Sequence, residues 1–213
     1  MATNTWIGGT SADASTAANW SEGLPVANQD IIVPPYATNG ITSGMDAIGS
    51  IALKSFWVQE GFALNIGNTS GGFFQIDLTA SGATRFLFEG SSTLAKFHII
   101  KTLPAVSLEV RKTGVGNVGQ PALQFISNDV TVTATYVGKM SIYSGEVSLG
   151  PEDKVCELGG LTVGERIGQT GAVVYVGRNC RDIASGDPAL FTMDVNSGTV
   201  FCDSSLVTAS QYG

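Results

Sequence analysis

An all-β chain wound as a parallel β-helix is the fold class this sequence predicts, and three observations predict it. Charged residues make up only 14% of the chain, while glycine is frequent at 27 residues. That usage suits β-structure with many turns, against about 25% charged in ordinary globular domains. After Gln29 the chain reads as short β-segments such as "DIIVP", "FFQIDL", "RFLFEG", "KFHII", "LQFIS" and "AVVYVG", with helix-period stretches nearly absent. Finally, the strand-ending glycines Gly150, Gly164 and Gly177 recur at nearly constant spacing.

The segments themselves carry the period of a half-buried strand. In "KFHII" Phe97 and Ile99 fall on one face, with Lys96 and His98 on the other, as alternation of period two requires. "VTVTATY" alternates Val or Ala with Thr in the same way. Short strands at regular spacing build a sandwich, a barrel or a solenoid. The second half lacks the Asn-Gly or Asp-Gly hairpin signal of an antiparallel meander. A strand followed by a glycine turn, repeated at near-constant length, favours a solenoid whose coils bury their apolar faces only by stacking. A β-sandwich is the alternative.

Two parts are expected, a capping or attachment module over residues 1–35 and a solenoid body over 36–213. A solenoid needs its open strand edge covered. Trp6 and Trp20 supply broad apolar faces for that task, and Pro25, Pro34 and Pro35 interrupt regular pairing. At the other end "SGTVFCDSSLVTASQYG" still reads as coil sequence with no capping signal. Either another molecule covers it, or the chain is part of a longer one.

Charge and cysteine content narrow the function classes. A formal charge of -7 with 11 scattered Lys and Arg residues does not suit a nucleic-acid backbone, which needs clustered cations. No apolar run approaches the roughly 18 residues of a membrane span, so no membrane partner is expected. Cys156, Cys180 and Cys202 form an odd set without a CxxC pair and are read as free, mostly buried thiols. No basic start with an apolar run marks a secretory leader, so synthesis in the cytoplasm is expected. Sparse charge also predicts that much of the surface is buried against other copies or other proteins.

The stretch "TWIGGTSADASTAANWSEGLPVANQDIIVP", Thr5 to Pro34, resembles an opening module of β-helical proteins. The matching elements are Trp6, Gly8, Gly9, Ala17 to Trp20 with Asn19, Gly23, Pro25, and Asp30 to Val33. Bacterial surface and secreted β-helix proteins carry the module after a signal peptide; structural proteins of tailed bacteriophages carry it directly after the initiator Met, as "MATNTW" does here. The resemblance covers about the first 35 residues and is diffuse beyond them. It implies a right-handed parallel β-helix in a virion, a capsid decoration (cement) protein that binds the major capsid protein and is commonly a homotrimer. Trp6, Gly8, Gly9, Asn19, Trp20, Pro25 and Asp30 are then structural capping residues. No catalytic residue, cofactor or metal is implied, and the functional step is one of analogy.

Candidate chemistry elsewhere has plainer readings. Asp182, Asp187, Asp194 and Asp203 are the main acidic concentration beyond "GPEDKVCE"; a glycan-cleaving site needs two carboxylates facing each other, whereas turn carboxylates suit Gly-Asp-Pro contexts. His98 is the single histidine, which excludes a multi-histidine metal centre. Cys180 lies between Arg178 and Arg181, a setting that lowers a thiol pKa, but a nucleophile also needs a positioned base. "RKTGVGNVGQP" leads into a strand rather than the helix a dinucleotide loop requires and reads as a projecting loop. Aromatic residues Trp57, Tyr36, Tyr136, Tyr143 and Tyr175 admit a rival reading, a tail spike or fibre that binds or cleaves glycan. Alternation places Trp57 opposite Phe56 and Val58, on the outer face. A fragment of a bacterial surface adhesin is the third reading.

Overall fold

The computed structural model describes residues 2–103, 105–117, 121–127, 140–151, 156–158, 160–164, 171–177, 180–182 and 193–202. Its first strand, β1 (Thr3–Thr5), is followed by a single 3-10 turn at Ala17–Asn19 and then by β2 (Asp30–Val33). From there the chain alternates between two large sheets. Strands β3 (Ser55–Val58), β5 (Arg85–Phe88), β7 (Ser107–Val110), β9 (Met140–Ile142), β12 (Leu161–Val163) and β15 (Met193–Val195) extend the first sheet begun by β1 and β2. Between them β4 (Phe74–Leu78), β6 (Ala95–Thr102), β8 (Leu123–Ile126), β10 (Glu146–Leu149), β13 (Ala172–Val176) and β16 (Gly198–Cys202) build the second. A small third sheet joins β11 (Cys156–Leu158) to β14 (Cys180–Asp182).

Every strand pairs in parallel with its neighbour one coil away. The protein is therefore an all-β parallel solenoid of about six turns with almost no helix, as its sequence predicts. In the first sheet one ladder position recurs at Ile31, Phe56, Phe86, Leu108, Met140, Leu161 and Met193. Coils thus consume between 21 and 32 residues while register is kept.

The core forms where inward columns of the two sheets meet. Ile31, Phe56, Phe86, Leu108 and Leu161 face Phe74, Phe97, Phe125 and Leu149, and all are buried. Phe56 and Phe86 stack at 5.9 Å, while Phe97 meets Phe86 edge-on at 5.0 Å and stacks on Phe125 at 5.8 Å. Each such ring contributes about 2–3 kcal/mol by burial, with about 0.5–1.5 kcal/mol more per aromatic pair. Phe56 and Val58 point inward and Trp57 outward, following the alternation.

The recurrent glycines mark corners. Gly150 and Gly177 end β10 and β13, which are neighbours in the second sheet, whereas Gly164 ends β12 in the first. Their 13–14-residue spacing is therefore half a coil. A Cβ on Gly177 would collide with the carbonyl of Gly150 in the coil beneath, so the stacked corner requires glycine there.

On the outer face of the second sheet the structure departs from simple alternation. Lys96 and Gln124, at paired positions in β6 and β8, are as buried as core residues. His98 is only half-buried, opposite Gln75 and Ile126. Alternation separates inward from outward but carries no information on what lies over the outer side.

Candidate functional site at the N-terminal face and the first sheet

The opening stretch folds back on itself through an antiparallel bridge between Trp6 and Trp20, and the Trp6 N–H donates to the Ile32 carbonyl of β2 at 2.8 Å. Both indoles are buried, meeting edge to face at 5.0 Å and 75°. Each ring nitrogen donates to a carbonyl: Trp6 Nε1 to Asn39 at 2.8 Å and Trp20 Nε1 to Ala14 at 2.9 Å. A buried indole N–H left without an acceptor would lose its hydration uncompensated, so these two bonds hold the rings in one arrangement. Both belong to the same hydrophobic core as the coils below.

Asn19, wholly buried, organises the loop between them. Its Oδ1 accepts from the Thr10 and Ser11 backbone N–H groups at 2.9 and 3.0 Å and from Thr10 Oγ1 at 2.9 Å; its Nδ2 donates to Ser11 Oγ and the Asp13 carbonyl, each at 2.8 Å. Gly8 holds φ at +59°, and a Cβ there would lie 2.7 Å from the Asn39 nitrogen. Gly9 approaches the Ala18 carbonyl without such a clash. Pro25 is buried, and Asp30 opens β2, accepting from Ser55 Oγ at 2.6 Å.

One residue escaped sequence reading. Asn4 stands above Ile31 in the inward column and is wholly buried. Its Nδ2 donates to the Gly23 carbonyl at 2.8 Å, and its Oδ1 accepts from the Glu22 N–H at 3.2 Å and Ser21 Oγ at 3.3 Å. "TNT" is too short for alternation to reveal that its middle residue faces the core.

Next to this module, the outer surface of the first sheet carries a shallow open groove of about 470 Å³. One row of its lining is Thr3, Asp30, Ser55 and Arg85, a single ladder across four strands. Ile32 and Trp57, paired two positions along, form the next row, and Thr84 closes the side. The Arg85 guanidinium lies over the Trp57 ring, 5.2 Å from its centroid. Trp57 Nε1 donates to Glu89 Oε2 at 2.8 Å, and Arg111 bridges Glu89 and Glu109 at 3.5 and 3.1 Å. These exposed ion pairs orient the ring but contribute little to stability; hydrogen bonding to Glu109 also holds the Arg111 guanidinium further toward its charged form.

Among the described residues the remaining candidates do not gather at one site. Asp194 is exposed on β15, whereas the Asp182 backbone lies in the third sheet. Asp187, Asp203, Arg178 and Tyr136 lie outside the described residues, as do the side chains of Asp182 and Arg181. Cys180 is buried beside Cys156 at the paired position of β11 and donates to the Leu149 carbonyl at 3.2 Å. Hydrogen bonding to Cys156 and then burial push its thiol well above the ordinary range, the reverse of what an activated nucleophile needs. Tyr36 is exposed, Tyr143 half-buried, and Tyr175 stacks on Phe201 at 5.2 Å.

Val115, at 83% exposure, projects from the glycine-rich loop, which leads on to β8 as a strand. Among the described residues no three His, Cys, Asp or Glu side chains gather as a metal centre would require. Comparison of the chain with family models, with curated proteins and with solved structures finds no match.

Proposed function

We propose that this protein is a virion structural protein of the capsid decoration (cement) type, made in the host cytoplasm, that binds the lattice of a major capsid protein as a homotrimer. The observation that carries the reading is the N-terminal face. The residues that resemble the phage opening module fold as one tightly bonded unit, and beside its buried tryptophans Leu24, Val26 and Tyr36 stand 46, 58 and 69% exposed. Apolar side chains held outward on a rigid, sparsely charged frame are suited to burial against a partner. The reading assigns no catalytic residue and no cofactor.

Counting copies in purified virions tests it. Hundreds of copies distributed over the capsid are expected; a few copies at the tail would overturn it. Leu24→Asp with Val26→Asp should weaken binding to bare capsids at least tenfold while leaving the melting temperature nearly unchanged, because both side chains point into solvent. The groove over Trp57 supports a second reading, a tail spike or fibre protein that engages glycan, for which the low copy number is the expected result.

A further inference from the structure

We propose that the groove on the outer face of the first sheet is a binding site for a neutral, polyhydroxylated ligand such as an unmodified oligosaccharide. The fold leaves two polar groups of this groove available. Arg85 engages the Trp57 ring and no acceptor among the described residues, so its planar fork of N–H donors is oriented by stacking yet open to a ligand. Among the described residues Asp30 receives only Ser55 Oγ, on Oδ1, which leaves its second oxygen able to accept.

The ladder sets the separation of these groups. Asp30 pairs with Ser55 and Ser55 with Arg85, so the carboxylate and the guanidinium arise two strand spacings apart, about 9–10 Å between backbones. No ion pair joins them among the described residues. The hydroxyls of Thr3, Ser55 and Thr84 line the same groove, and Ile32 and Trp57 supply an apolar surface beside the polar row.

This mixture discriminates between ligand classes. An anion would engage Arg85 alone and a cation Asp30 alone, each leaving the other charged end unmatched, and an apolar peptide would leave both desolvated without a partner. A sugar ring both donates and accepts, and its C–H face packs on aromatic and aliphatic side chains. It satisfies the carboxylate, the guanidinium and the hydroxyls together.

The assignment stands apart from the capsid reading and gives the glycan reading a place on the molecule. Binding by the isolated protein tests the groove, virion copy number tests the capsid reading, and either can fail without the other. The experiment is titration of the full chain with maltohexaose, cellohexaose, chitohexaose and hexagalacturonate, followed by calorimetry and by indole fluorescence. Because Trp6 and Trp20 are buried in the core, Trp57 is the responsive fluorophore. At least one neutral hexasaccharide should saturate the signal, and Asp30→Asn and Arg85→Gln should each weaken it at least tenfold with the melting transition retained. Arg85→Lys, which keeps the charge and loses the planar fork, should weaken it as well. Absence of saturation with every neutral oligosaccharide, unchanged binding in all three variants, or tighter binding of hexagalacturonate would each overturn the proposal.

Discussion

At the scale of single residues, the N-terminal module depends on a few side chains that combine burial with full hydrogen bonding. Asn19→Ala removes the acceptor of two backbone N–H groups and should lower stability by on the order of 3 kcal/mol in urea unfolding. Trp6→Ala should cost about 3–5 kcal/mol, since it opens a cavity under Trp20 as well as losing its own burial. The Asp13 carboxyl is held below its ordinary value by the Ser15 hydroxyl and N–H. A depressed folded-state pKa stabilises the fold above the unfolded value and is lost as pH falls through the folded one. An NMR titration should therefore place Asp13 below its ordinary midpoint, and Ser15→Ala should move it upward. Thiol reagents distinguish the cysteines: exposed Cys202 should label in the native protein, faster as pH rises because the thiolate reacts, while Cys156 and Cys180 wait for unfolding.

Among the elements, strands are legible wherever an inward residue is large and apolar. Phe97 with Ile99, and Phe56 with Val58, stand where period-two alternation places them. Lys96 and Gln124 do not follow it, because a strand's own pattern records its two faces and not the cover over the outer one. The coil repeat was visible only as half-coils at Gly150, Gly164 and Gly177, because coils of 21 and 32 residues reach the same ladder position and so give the sequence no fixed period. The groove was legible in part, since alternation turned Trp57 outward, but its pairing with Asp30 and Arg85 depends on a register that no local pattern carries. Within the core, Phe86→Ala should cost about 3–5 kcal/mol, because its ring contacts Phe56, Phe97 and Phe125 at once.

For the whole molecule, stability is a sum of coil-to-coil interfaces rather than a single centre. Among the described residues hydrogen exchange should be slowest in the coils carrying Phe56 to Phe125 and fastest across Met193–Cys202, where Val195 and Phe201 are 50% and 52% exposed. The constancy of register across coils of unequal residue count has a geometric consequence. Each coil advances the stack by one interstrand spacing, about 4.8 Å, whether it spends 21 residues or 32. Height along the axis is thus quantised by the number of coils, independently of how many residues each coil spends between ladder positions. A lineage of such chains can change its reach in whole steps and reshape its flanks continuously, without either change disturbing the other.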